Sequence, residues 1–267
     1  MTWKNIRLKI DGDRADLILN RPGIHNALNP ELIGEIGKAL DEISRNDEIR
    51  FLVLSGEGKS FCAGADINWF ASAREKTKMD NWQEYLQFPE ILKKIYRLPK
   101  ITVSAIHGNV QGGGNGLVTA CDFAIAELST TFAFGEIKLG IVPATIMPFV
   151  AKKISIQNMK KLMYSGSRIN TSEAIEIGLV DYIAENGRLM DTVDKLIASI
   201  RTSAPKALQI CKQLLLNNEN GEINIESTEY TSSVLADVVH SEEGMEGLQA
   251  FLEKRKPNWN KLKTENF

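Results

Sequence analysis

Cysteine is scarce in this chain of 267 residues, and Cys62, Cys121 and Cys211 are too scattered for a disulfide framework or a metal site of CxxC spacing. Reduced thiols are the expectation. The three histidines, His25, His107 and His240, lack metal-ligand spacing, and no GxSxG elbow accompanies them. Excess charge is also missing: 32 Lys and Arg face 34 Asp and Glu, a formal net charge of −2. General attraction to nucleic acid or to an anionic membrane is therefore not expected, and no dense Lys/Arg block suggests otherwise. No apolar run reaches the length needed to span a bilayer. The opening stretch "MTWKNIRLKIDGDRADL" has no apolar run of signal-peptide length and is too acidic for a transit peptide, so a cytoplasmic protein is expected.

What remains is enough chain for one large domain with a substantial core, or one domain with an appendage. "WKNIRLKIDGDRADLILN" alternates apolar and polar residues around an Asp-Gly turn, the pattern of a hairpin. Asn29 and Pro30 start a helix whose apolar residues Leu32, Ile33, Ile36, Leu40 and Ile43 share one face. "RFLVLSG" reads as a strand buried in a parallel sheet. The "GEGKS" after it imitates a phosphate loop, but Val53 stands where the first glycine is needed. A long helix is expected over "DNWQEYLQFPEILKKIYRL", bent or interrupted at Pro89. "ITVSAIHG", "CDFAIA" and "TFAF" read as further strands. From about Leu189 the pattern is helical only, with Cys211 placed on the packing stripe of "PKALQICKQLLLNN". The expected organisation is a mixed α/β core over residues 1–200 and a helical region over 201–267.

Chemistry concentrates in three stretches. "NVQGGGNGL" follows a strand and opens a helix, where glycines let backbone N–H groups approach a ligand and the helix adds its positive end. A phosphate cradle, an oxyanion site and close strand–helix packing all fit; the dinucleotide spacing GxGxxG does not. "KSFCAGADINWF" also leaves a strand, with Gly64 and with Asp66 as a helix cap. Two N–H sites from separate loops can meet on one oxygen. "FAFGEIKLGIVP" supplies Glu136, and the neighbouring Phe132, Phe134, Ile137 and Leu139 predict partial burial and a raised pKa suited to proton transfer.

Six stretches in order, "LNRPGIHNALNPELI", "FCAGADI", "HGNVQGGGNGL…CDFAIA", "FGEIKLGIVP", "INTSEAIEIGLVD" and "EGLQAFLEKRKPNW", cover nearly the whole chain. Together they resemble the crotonase superfamily of enoyl-CoA hydratases and isomerases. The resemblance implies an α/β fold, a crotonase-like spiral of ββα units with a C-terminal helical trimerisation region. It implies an oxyanion hole from the N–H groups of Ala65 and Gly113, with Glu136 as the acid-base group. Ala27, Ala63 and Asp66 are the implied contacts to coenzyme A, joined by Phe251 and Lys254, often from an adjacent subunit. A homotrimer or homohexamer is implied. So is the absence of a metal or redox cofactor, because coenzyme A arrives as part of the acyl-CoA substrate.

One departure bears on the activity. Two-glutamate hydratases of this family carry a second acid where this chain has Gly116. The expected function is hydration of an enoyl-CoA, or the reverse dehydration, through Glu136 alone. "KLGIVPATIMPF" is similar to bacterial methylglutaconyl-CoA hydratases, which also carry a glycine at the position of Gly116; this points to leucine breakdown and a branched, carboxylate-bearing substrate. The alternatives are an enoyl-CoA isomerase, for which one glutamate suffices, and a noncatalytic acyl-CoA-binding relative. His107 and Asp122 are expected to make structural hydrogen bonds, and Cys62 and Cys121 to pack.

Overall fold

Strand β1 (Ile6–Asp11) and β2 (Arg14–Leu19) pair antiparallel in the computed structural model, which describes residues 3–218, 221 and 223–261. Asp11 lies opposite Arg14, so the turn is Gly12-Asp13 rather than the expected Asp11-Gly12. Gly12 takes φ +56°, a left-handed value that glycine adopts without steric cost. Helix α1 (Pro30–Arg45) begins as predicted: the Asn29 side chain accepts a hydrogen bond from the Leu32 N–H at 2.9 Å. Its five apolar stripe residues are all buried.

The chain continues through β3 (Phe51–Gly56), α2 (Ile67–Ser72) and α3 (Lys78–Arg97), and α3 runs through Pro89 as one helix. Next come β4 (Ile101–Ile106), β5 (Asn109–Gln111), α4 (Gly113–Ala120), β6 (Phe123–Glu127) and β7 (Thr131–Ala133). After α5 (Met147–Lys153) and α6 (Ile156–Ser165) follow β8 (Arg168–Asn170), α7 (Thr171–Glu176) and β9 (Tyr182–Ala184).

Two sheets result, a six-stranded one of order β1-β2-β3-β4-β6-β9 and a three-stranded one of order β5-β7-β8. Beyond β2 the large sheet is parallel, and its central strand β3 is a continuous apolar run, as expected for a sheet covered on both faces. Twice the chain leaves a strand of the large sheet and enters the small one directly, from β4 to β5 and from β6 to β7. An isolated parallel bridge between Cys62 and Val110 adds one more turn to this stack, and Val110 pairs in turn with Phe132. Segments 62–66, 110–113 and 132–136 are thus successive turns of one spiral. The hydrophobic core lies among the helices and strands of this unit.

The chain divides into two compact units, residues 1–193 and 194–267, the division falling inside α8 (Leu189–Arg201). The second unit holds α9 (Pro205–Asn217), α10 (Ile225–His240) and α11 (Glu242–Leu252). The Glu243 carboxylate of α11 caps α9, accepting from the N–H groups of Lys206 and Ala207. Cys211 is exposed, not packed as its helical spacing predicted.

Candidate active site

Three turns of the spiral bring the predicted site residues Ala65, Gly113 and Glu136 to one place. Because Cys62 is bridged to Val110, the residues three positions onward, Ala65 and Gly113, occupy equivalent places in adjacent turns. Gly64 permits the approach with φ +85°; a Cβ there would come within 2.9 Å of the Gln111 carbonyl oxygen and 3.6 Å of the Gly113 nitrogen. Beside Ala65 the chain is held by Leu28, whose N–H donates to the Gly64 carbonyl while its own carbonyl accepts from Asp66. Those two bonds flank Ala65, and in a parallel ladder this leaves the N–H of Ala65 itself directed the other way. Gly113 is the first residue of α4, where helix geometry provides no internal acceptor for its N–H. Among the described residues, neither of these two N–H groups has a protein partner.

Glu136 opens a short 3₁₀ turn directly after Gly135 and is half-buried. Phe132 and Phe134 are fully buried, while Ile137 and Leu139 are exposed, so only two of the four predicted apolar neighbours are core residues. The carboxyl Oε2 is buried without a hydrogen-bond partner. Burial pushes the Glu136 pKa above the ordinary glutamate value, against a smaller pull from its own backbone N–H. The carboxyl abuts the glycine run: a Cβ on Gly112 would sit 2.9 Å from its Oε1. Gly112, at φ +47° and ψ −117°, therefore clears room for the acid while turning the chain into α4.

Ala63, Ala65, Gly113 and Glu136 all line one cavity of about 820 Å³, a volume suited to a small-molecule acyl group. Its walls are mostly apolar, with Ile141, Val142 and Ile146 from the segment after Glu136. An aromatic group of Trp69, Phe70 and Tyr85 joins them, with ring centroids 5.5–5.6 Å apart. Two cations, Lys138 and Arg168, complete the lining, and Arg168 donates to Asn109 at 3.1 Å. Among the described residues, Glu136 is the one carboxylate that lines the cavity. Gly116 is buried in α4 and does not line the cavity.

Ala27 and Asp66 sit behind this lining, joined through Arg21, which donates to the Ala27 carbonyl and pairs with the Asp66 carboxylate at 3.3 Å. Asp66 also caps α2 by accepting from the Asn68 N–H. Phe251 and Lys254 belong to the second unit; Phe251 is 82% exposed at the end of α11, and Lys254 takes φ +53° just beyond it. His107 donates from Nε2 to the Gly58 carbonyl oxygen at 2.9 Å, and Asp122 accepts from both the N–H and the hydroxyl of Thr102. Both contacts are structural, as expected. Burial pushes the Cys62 thiol up to about 12, which keeps it protonated and unreactive.

Arg21, the aromatic group and Ile146 were not singled out from the sequence. Arg21 lies in "LNRPGIHNALN", where its charge beside two turn residues was the available signal.

Comparison with known proteins identifies the family and the fold. The family model described as enoyl-CoA hydratase/isomerase matches residues 14–262. A crotonyl-CoA hydratase of Syntrophomonas wolfei is 31% identical, covering 97% of this chain and 99% of that one. An enoyl-CoA isomerase/hydratase of Mycosarcoma maydis is 32% identical, covering 90% of each. The crystal structure of an enoyl-CoA hydratase from Shewanella pealeana superposes with a TM-score of 0.92 at 30% identity, covering 96% of both chains. The chain belongs to the enoyl-CoA hydratase/isomerase family and has the crotonase fold.

Proposed function

We propose that this family member adds water across the double bond of an enoyl-CoA thioester, or removes it in the reverse direction, with Glu136 as the single acid-base group. The observation that carries this reading is the meeting, on one cavity, of two unpartnered backbone N–H groups and one buried carboxyl. The N–H groups of Ala65 and Gly113 would both donate to the thioester oxygen, whose negative charge grows as the enolate forms. Ionised Glu136 takes a proton from water as the water oxygen bonds to C3 and the C2–C3 π electrons move toward the thioester. The enolate then takes that proton from Glu136 at C2. One water is consumed, and the carboxylate is regenerated. Because burial raises its pKa, Glu136 is a stronger base than an exposed glutamate and a competent acid once protonated.

Coenzyme A enters with the substrate, and the steps call on no metal or redox cofactor. Ala63, at the edge of the lining, and the Arg21-tied pair Ala27 and Asp66 are assigned to the coenzyme. The exposed Phe251 and Lys254 are assigned to coenzyme A bound by a neighbouring copy in a homotrimer or homohexamer. For the acyl group, the stretch 138–149 supports a branched, carboxylate-bearing chain of the methylglutaconyl type, and Lys138 and Arg168 on the cavity wall suit an anionic end.

A second reading, enoyl-CoA isomerase, is favoured by the same single carboxylate: Glu136 would remove a proton at C2 and return it at C4 without water. Product analysis on a panel of acyl-CoAs separates the two. Hydration gives a 3-hydroxyacyl product, and a moved double bond with no water added would overturn the first reading.

A further inference from the structure

Position 116 lies three residues after Gly113 on α4, so a side chain there would leave the helix on a face it shares with the N–H-bearing residue. What stands in front of it is Ile146. A Cβ built on Gly116 would fall 2.5 Å from Ile146 Cγ2 and 3.1 Å from Ile146 Cβ, with Leu92 Cδ1 at 3.0 Å. The 2.5 Å contact is one that real side chains do not show, while the other two ask each neighbour to give way by only a few tenths of an ångström. Ile146 cannot easily step aside: it is 1% exposed, and its carbonyl accepts from the N–H groups of Phe149 and Val150, at the start of α5. It also lines the 820 Å³ cavity from which Gly116 is absent. The isoleucine therefore stands between residue 116 and the acyl site.

We propose that Ile146 is the specificity-determining residue that holds this site to one carboxylate, filling with hydrocarbon the space through which a side chain at 116 would reach the substrate. The glycine and the isoleucine form an interlock: position 116 accepts no side chain while Ile146 keeps its place. An acyl group beside Ile146 meets a branched apolar wall in place of a second proton donor or water anchor. The proposal rests on the assignment of Glu136 as the acid-base group, and it adds why the missing acid cannot be restored at one position alone.

A two-part cycle tests it. The first part is structural and independent of catalysis: melting temperatures of the wild type, Gly116→Ala, Ile146→Ala and the double variant. Overpacking by the new methyl against Ile146 is expected to lower Tm by about 5 °C in the wild-type background and by little in the Ile146→Ala background. Equal falls in both backgrounds would overturn the interlock. The second part compares crotonyl-CoA hydration by Gly116→Glu, Ile146→Ala and Gly116→Glu/Ile146→Ala. The double variant is expected to exceed Ile146→Ala in kcat by at least about tenfold, the scale of one added general acid or base, with a new ionisation in its pH profile. Gly116→Glu alone is expected to fall below wild type. Equal kcat for Ile146→Ala and the double variant would contradict the proposal. So would a double variant that does not fold although Ile146→Ala does. Glu136→Gln run alongside distinguishes the failures: activity surviving that change refutes the role of Glu136, while the melting cycle still judges Ile146.

Discussion

The wall of the cavity that carries Ala65 and Gly113 offers backbone, whereas the wall that carries Glu136 and Ile146 offers side chains. The backbone wall is fixed by ladder bonds around Leu28, Cys62 and Val110, which do not depend on what side chain Ala65 bears. The side-chain wall depends on volume: Glu136 needs the gap left by Gly112, and Ile146 needs the gap left by Gly116. The proposed oxyanion site thus rests on the course of the backbone, while the proposed acid-base group rests on a few packing choices.

Disabling the side-chain wall should have the largest effect. Glu136→Gln keeps the shape and removes the base, and kcat is expected to fall about 10²- to 10⁴-fold with little change in KM, measured by steady-state kinetics. On the backbone wall, Ala65→Pro deletes one N–H donor, with an expected loss of about 10²- to 10³-fold in kcat; a Tm taken on the same sample guards against misfolding. A loss under tenfold in a folded sample would show that Ala65 does not support the oxyanion. Gly112→Ala joins the two walls, because the methyl would press on Glu136 Oε1 and the positive φ disfavours alanine. Its kcat should fall by about tenfold or more, the scale of a misplaced catalytic group.

The pH response offers a finer test. A base must be ionised to act, so kcat/KM should rise with pH through an ionisation above the ordinary glutamate value of 4.5, since burial raises the pKa of Glu136. Stability should move the opposite way. A carboxyl whose folded pKa lies above its unfolded value stabilises the fold below the unfolded pKa, and that contribution is lost as pH rises through the folded pKa. Glu136→Gln should therefore melt at a higher temperature than wild type at pH 7 and lose that advantage near pH 4. The smallest change is expected at Phe251: with the ring 82% exposed, Phe251→Ala should alter the stability of the single chain by no more than about 0.5 kcal/mol in chemical denaturation.

The two walls also differ in how far the sequence reveals them. Gly64, Gly113 and the cap Asp66 were legible because glycines between a strand and a helix leave a local signature that does not depend on distant contacts. Glu136 was legible as an acid within an apolar run, although only Phe132 and Phe134 of its neighbours turned out to be core. Ile146 was hidden, because its role depends on α4 meeting the start of α5, thirty residues away in sequence. Gly116 taken alone read as a missing carboxylate; with Ile146 in place it is also a required absence of volume. Helical spacing could not distinguish a face buried in this chain from one left open, so Cys211 was placed in packing but is exposed, whereas the stripe of α1 is buried throughout. The hairpin was correctly located but its turn was shifted by one residue, since Asp-Gly and Gly-Asp both suit a two-residue loop.

The most direct test follows the water oxygen. Wild-type protein incubated with crotonyl-CoA in ¹⁸O-labelled water should give 3-hydroxybutyryl-CoA carrying the label at C3, and Glu136→Gln, folded by its melting curve, should give almost none. Undiminished labelling by Glu136→Gln, or an isomerised enoyl-CoA without label from the wild type, would contradict the account.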